Sequence, residues 1–185
     1  MRAAMVRRIS IMGLPACAEA SERICRNLSK LEVVQNAGVV LLYACDHTEP
    51  DLVALAREDL PWKAAFPRVA GQGKLDFHIV TDPKTQFVEG AFGLREPDPK
   101  LCPMVDLADV GVVIAPGRAF SGDNGDRLGR GGGFYDRLLA GLSPDVWTIG
   151  VSFRCQIVEP LPIDSHDIPV KQLVTEAGVA DCGNG

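Results

Sequence analysis

The chain has 185 residues, 46% of them hydrophobic, and a formal net charge of -5. That length supports one sizeable core and predicts a single domain over 1–185, while the negative balance excludes a general nucleic-acid coat, which needs a basic face. The six cysteines show neither CxxC nor His-Cys ligand spacing, so neither a metal centre nor a disulfide framework is expected. No apolar run approaches the roughly 20 residues that span a bilayer, and the first residues lack a signal-peptide pattern. The expectation is a cytoplasmic protein with no membrane partner.

Met1 to Met12 has helical character and is broken by Gly13 and Pro15. From Ala18 to Leu31, the residues Ala20, Ile24, Leu28 and Leu31 form a helix face. Val39 to Tyr43 is a continuous apolar run, as in a strand buried on both faces of a parallel sheet. Asp51 after Pro50 predicts a helix to about Leu60, ended by Pro61. The loop between, with Asp46, His47 and Glu49, then lies at the carboxyl end of a strand, where open α/β sheets bind ligands. Lys63 to Val69 and Leu75 to Val80 read as a hairpin around GQG. Thr81 to Met104 reads as a long ordered loop, of the kind that tends to be functional. Asp109 to Ala115 is a second buried strand, Tyr135 to Leu142 a helix, Trp147 to Phe153 a third strand, and Gln172 to Thr175 a last short one. Alternating strands and helices predict an α/β sandwich with a mainly parallel sheet.

Between the second buried strand and the helix after it runs GDRLGRGGGFYDR, from Gly125 to Arg137, with five glycines and three arginines. Glycine costs backbone entropy, so this density implies that the backbone must approach something closely, and an anion is the usual reason. The stretch is not a P-loop, because no Lys-Ser or Lys-Thr follows its glycines, and it is not GxGxxG, because Phe134 stands where a glycine is needed. Arg127 and Arg130 supply guanidinium forks that suit phosphate oxygens. Asp136, in the first turn of the next helix, suits either the helix end or a Mg²⁺ shared with phosphate oxygens.

The longer run AFSGDNGDRLGRGGGFYDRLLA resembles the signature of the 5-formyltetrahydrofolate cyclo-ligase family, also called methenyltetrahydrofolate synthetase: AFD, a short gap, then G-x-R-L-G-x-G-x-G-[YF]-Y-D-R. Tyr43 with Glu49-Pro50-Asp51 is similar to the family's Y…E-P-D segment, Phe66-Pro67-Arg68-Val69 to its l-P-r-v strand and Gly93-Leu94-Arg95-Glu96-Pro97 to its G-I-x-E-P. Gln156-Ile157 through His166-Asp167 to Val174-Thr175-Glu176 resembles its closing segment. The resemblance covers nearly the whole chain.

It implies a three-layer αβα fold shared with ribose-5-phosphate isomerase and CoA-transferase-like proteins. It also implies an ATP- and Mg²⁺-dependent closure of 5-formyltetrahydrofolate to 5,10-methenyltetrahydrofolate, with release of ADP and phosphate. The implied ATP-binding residues are Arg2, Arg127, Leu128, Gly129, Arg130, Gly131, Gly132, Gly133, Phe134 and Tyr135, with Arg127, Arg130 and Tyr135 as the catalytic set. The segment from Arg130 to Phe134 would also face the folate, together with Leu42, Glu49 and Phe120. Asp136 and Asp167 resemble the family's magnesium-binding aspartates. The implied partner is a small-molecule folate, and the protein would be a monomer or weak homodimer. Three positions depart from the pattern: the family's initial Lys has no counterpart before Arg2, Ser121 replaces an aspartate, and Lys171 stands where Asp is common. The first of these keeps a second reading open, a folate- or nucleotide-binding paralogue without turnover.

Overall fold

The computed structural model describes residues 1–57, 59–71, 73–162 and 167–183. Helices α1 (Arg2–Met12) and α2 (Leu14–Leu28) come first, separated by Gly13 at a φ of 77° that reverses the chain. A single turn, α3 (Glu32–Gln35), follows. The strands are β1 (Val39–Leu41), β2 (Lys63–Val69), β3 (Leu75–Ile79), β4 (Phe87–Glu89), β5 (Arg95–Pro97), β6 (Val110–Pro116), β7 (Ala119–Phe120) and β8 (Arg127–Leu128). Helix α4 (Phe134–Ala140), β9 (Trp147–Val151), β10 (Gln172–Thr175) and β11 (Gly178–Asp181) complete the order.

One seven-stranded sheet runs β11-β10-β9-β6-β1-β2-β3. Its inner five strands are parallel, and β3 and β11 pair antiparallel at the two edges. Side chains alternate across a strand, and the two faces find different partners. Val40, Leu42, Val112 and Ile114 pack with Ile9, Ile24 and Leu28 of α1 and α2. Val39, Leu41 and Val113 pack with Leu139 of α4. Both faces are covered by helices, which is why the runs VVLLY and DVGVVIA show no polar alternation. The predicted mainly parallel sheet between helical layers is what forms.

From β1 the chain moves outward to β2, and from β6 it moves the other way to β9 and β10. The order therefore reverses between β1 and β6, and the crevice at the carboxyl ends of two such strands is where α/β sheets bind ligands. Here those ends carry the Asp46–Glu49 loop and the glycine-rich loop.

Four local expectations change. The helix expected over 51–60 is a single 3-10 turn at Val53–Leu55. Buried Leu52, Leu55 and Ala56 pin the segment within a few residues, and so short a stretch cannot sustain a helix by its own hydrogen bonds. The loop expected over 81–104 contains the β4–β5 hairpin, whose three-residue strands are too short to leave a periodic signal. The glycine-rich stretch begins with a second small hairpin, β7 with β8. An unexpected edge strand, β11, closes the sheet.

Candidate functional site

A cleft of about 320 Å³ opens at the switch point. One wall is the loop after β1, with Tyr43 and Glu49, and a second is β2 and β3, with Pro67, Val69 and Leu75. The β4–β5 hairpin supplies Phe92, Leu94 and Glu96, and the glycine-rich loop supplies the charged side with Arg127, Arg130 and Asp136. Apolar walls with a few convergent polar groups are the usual form of a small-molecule site.

Arg127 is only 4% exposed. Its Nη1 donates to the carbonyl of Pro116 at 3.2 Å, and its Nη2 donates to Asp136 Oδ1. Arg130 is far more open: its Nη2 sits 3.1 Å from Asp46 Oδ2 and its Nη1 4.0 Å from Glu49 Oε2. Glu49 is 5% exposed, and its Oε1 is buried with no hydrogen-bond partner among the described residues. Burial pushes its carboxyl up to about 7, helped by the negative charge of Asp46 and opposed by Arg130 and Arg118. A buried carboxyl oxygen of this kind beside a cleft is a position at which a ligand or an ordered water can supply the hydrogen-bond partner.

The glycines of this loop do not share one task. Gly131, at φ 97°, has open space where a side chain would stand. At Gly133, φ 65°, a Cβ would meet Arg137, whose Nη2 donates to the carbonyls of Gly132 (2.7 Å) and Gly73 (2.9 Å). Helix α4 has seven residues and no side-chain cap. Positive charge therefore comes chiefly from the guanidinium groups rather than from a long helix dipole.

Several expected site residues lie outside the cleft or meet it indirectly. Leu42 is 0% exposed in the core and meets the site only through its carbonyl, which accepts from the Tyr135 hydroxyl at 3.3 Å. Tyr135 lines the cleft, but burial raises its phenol above the ordinary value and its hydroxyl is occupied. It braces the loop against β1. Phe120 is also 0% exposed, wedged over Gly117 and Gly150, so it is a core residue and does not face the cleft. Leu128 is buried with Met5 and Ala119. Arg2 donates through Nε to the Gly129 carbonyl at 2.8 Å and steadies the loop from outside.

The two aspartates expected at magnesium are placed differently relative to the cleft. Asp136 lines it, Asp167 is not among the lining residues, and the neighbouring His166 lies outside the described residues. Among the described residues, no group of three His, Cys, Asp or Glu side chains converges on a metal position. A single carboxylate still fits Mg²⁺ held mainly by phosphate oxygens and water. Burial pushes the Cys25 and Cys45 thiols up to about 12. Neither is a thiolate nucleophile near neutral pH.

Three contributors escaped the sequence reading. Phe92, 75% exposed at φ 59°, meets Phe134 edge to face with centroids 6.3 Å apart, making an aromatic rim. Glu96 accepts from the amides of Val69 and Ala91, both at 3.2 Å, and so ties the β4–β5 hairpin to β2. Arg118 holds Asp46, with Nη2 to Oδ2 at 2.9 Å. Only Glu96, inside the quoted Gly93–Pro97 segment, carried a usable signal.

Known proteins are similar to this chain in sequence and fold. The chain matches the model of the 5-formyltetrahydrofolate cyclo-ligase family over residues 1–176. The 5-formyltetrahydrofolate cyclo-ligase of Escherichia coli (strain K12) is 35% identical over 106 residues, 57% of this chain and 56% of that protein. By that match the chain spans little more than half of the relative's length. The cyclo-ligase of Saccharomyces cerevisiae is 30% identical over 158 residues, covering 82% of this chain and 65% of that one. The NMR structure of Aquifex aeolicus 5,10-methenyltetrahydrofolate synthetase superposes with a TM-score of 0.84 at 33% identity, covering all of this chain and 92% of that chain. The Mycoplasma pneumoniae synthetase, at 17% identity and a TM-score of 0.72, covers 95% of this chain and 96% of its own and bears on the fold alone. With its signature loop forming one wall of the switch-point cleft and the family match running through nearly every element, the chain belongs to the 5-formyltetrahydrofolate cyclo-ligase family.

Proposed function

We propose that the chain catalyses the ATP- and Mg²⁺-dependent cyclisation of 5-formyltetrahydrofolate to 5,10-methenyltetrahydrofolate, releasing ADP and phosphate. The observation that carries the reading is the convergence of Arg127, Arg130 and buried Glu49 on one apolar-walled cleft. In this reaction the formyl oxygen takes the γ-phosphoryl group, N10 attacks the activated carbon to close the ring, and phosphate leaves. No covalent bond to the protein is needed, in keeping with protonated Cys25 and Cys45. Catalysis is then positioning and charge stabilisation.

Arg130, the more exposed guanidinium, grips the triphosphate, and Arg127 fixes the loop's charge beneath it. The Glu49 carboxyl bonds the polar edge of the pterin, which gives its orphan oxygen a partner. Phe92 and Phe134 cover the flat ring system at the rim. Asp136 would hold Mg²⁺ together with phosphate oxygens and water, and the ion would supply charge to offset that spreading over the transferring phosphoryl group. A cytoplasmic setting and a monomeric or weakly dimeric state belong to the same reading; among the described residues no helix is long and apolar enough to cross a membrane.

The test is the rise in absorbance of the methenyl product when 5-formyltetrahydrofolate, ATP and Mg²⁺ are combined, with no rise when any one is left out. Flat traces beside an active control would overturn the reading. Calorimetric binding of both ligands without ADP release would replace it with a binding-only paralogue.

A further inference from the structure

Asp46 carries more positive partners than one carboxylate needs. It accepts from the Thr48 amide at 2.8 Å and from the Thr48 hydroxyl. It also accepts from Arg118 through Nη2 at 2.9 Å and Nη1 at 3.4 Å, and it lies 3.1 Å from Arg130. Burial alone would raise the Asp46 carboxyl, but these bonds from Thr48 and Arg118 hold it below its ordinary value, so it is ionised near neutral pH. One anion is thus shared between two guanidinium groups of different standing. Arg130 lines the cleft, whereas Arg118 does not.

Arg118 is also the fixed member of the pair. Its amide donates to the Leu128 carbonyl at 2.7 Å. Its carbonyl accepts from Nε2 of Gln156, a fully buried side chain that also bonds the Gly117 carbonyl at 3.0 Å. Its side-chain exposure is 12%, against 42% for Arg130. The anchored guanidinium therefore takes up part of the Asp46 charge, and the open one keeps charge to offer an incoming anion.

We propose that Arg118 is a positioning residue that acts through Asp46, setting how firmly Arg130 is held on the carboxylate wall and so how readily Arg130 transfers to the nucleotide's phosphates. This rests on the reading of the cleft as the ATP site of a cyclo-ligase. With Arg118 present, Asp46 orients Arg130 beside Glu49 without neutralising it. Without Arg118, Asp46 has Arg130 as its sole cationic partner among the contacts described, and a charge-assisted pair between them competes with the triphosphate.

The test is a double-mutant cycle on the full chain, read by calorimetric ATP affinity with Mg²⁺ present and by the separate KM values for ATP and 5-formyltetrahydrofolate. Arg118→Gln should weaken ATP binding roughly three- to tenfold and raise the ATP KM in step, with the folate KM within about twofold. Arg118→Lys, which keeps the charge, should recover most of the loss. In an Asp46→Asn background, Arg118→Gln should change ATP affinity by less than about twofold, because the group through which it acts is gone. Circular dichroism melts confirm that each variant is folded. If Arg118→Gln does not fold, Arg118→Lys alone and combined with Asp46→Asn carries the comparison, with ATP affinity near that of the corresponding parent in both expected. Additive losses, equal changes in both KM values, or ATP affinity unmoved by Arg118→Gln would overturn the inference while leaving the cyclo-ligase reading intact. Absence of ATP binding by the unaltered protein would overturn both.

Discussion

Arg127 and Asp136 are joined through Nη2 and Oδ1 across the glycine-rich loop, with the arginine almost wholly buried and the aspartate facing the cleft. Asp136 is therefore more than an exposed acid in a helix's first turn, because its charge also compensates a buried cation. Asp136→Asn should cost about 1–3 kcal/mol of stability, since Arg127 keeps a neutral acceptor but loses its counter-charge. Turnover should fall by roughly tenfold or more, with a higher Mg²⁺ concentration needed for half-maximal rate. An unchanged Mg²⁺ dependence would show that Asp136 does not hold the ion.

Glu49 makes stability depend on pH in an unusual direction. Burial pushes its carboxyl up from the ordinary 4.5 to about 7 in the folded chain. The folded state therefore binds the proton more tightly than the unfolded chain does. The associated stability is complete below about pH 4.5 and is lost as pH rises through about 7, an effect on the order of 3 kcal/mol. Urea unfolding across that range should show the loss in the parent, and Glu49→Gln should remove this contribution. Equal pH slopes in the two proteins would show that Glu49 titrates normally.

Phe120 should report on the core and not on the ligand. A Cβ at Gly150 would lie 2.5 Å from its ring, so the space around it is filled. Phe120→Ala should destabilise the protein by about 3–5 kcal/mol. The folded fraction should keep its folate KM. A stable variant with a raised folate KM would put the ring back in the site.

Phe92 should behave in the opposite way. It is exposed, so Phe92→Ala should leave the melting temperature within a degree or two. If the ring packs on the folate, its loss should raise the folate KM roughly two- to tenfold. A fall in stability with an unchanged KM would mark it as a fold residue.

Lys171, which departs from the family's usual aspartate, is structural. Its Nζ donates to the carbonyls of Pro144 at 2.8 Å and Val146 at 3.0 Å and lies 5.2 Å from the centre of the Trp147 ring. Lys171→Met should cost about 1–2 kcal/mol in chemical denaturation. Cyclisation should proceed at the parental rate, and a change in kcat without a change in stability would refute this role.

The sheet was readable because β1 and β6 are apolar on both faces, and a strand covered twice writes its burial directly into the sequence. The charged side of the cleft was readable because Arg127, Arg130 and Asp136 lie in one continuous motif. What was not readable depends on contacts across the chain. The pairing of Arg118 with Asp46 spans 72 residues, and no local spacing encodes it. Leu42 and Phe120 sit close to site residues in sequence but point into the core, and strand alternation separates a ligand contact from a packing contact by a single position. The hairpin carrying Phe92 is held by Glu96 rather than by its own strand pattern, so it read as loop.

The root of the glycine-rich loop has a mechanical consequence. Gly125, at φ 74°, lies so close under the Val170 carbonyl that no side chain could stand there. Its own carbonyl accepts from the Val170 amide at 2.9 Å, and the Asp123 carbonyl accepts from the Gly183 amide at 3.1 Å. The approach to β10 and the end of β11 are thereby fastened to the base of the loop. Local opening tends to follow such cooperative units, so an anion held by Arg127 and Arg130 should slow hydrogen exchange at the amides of β10 and β11, a coupling that exchange measured with and without ATP would read.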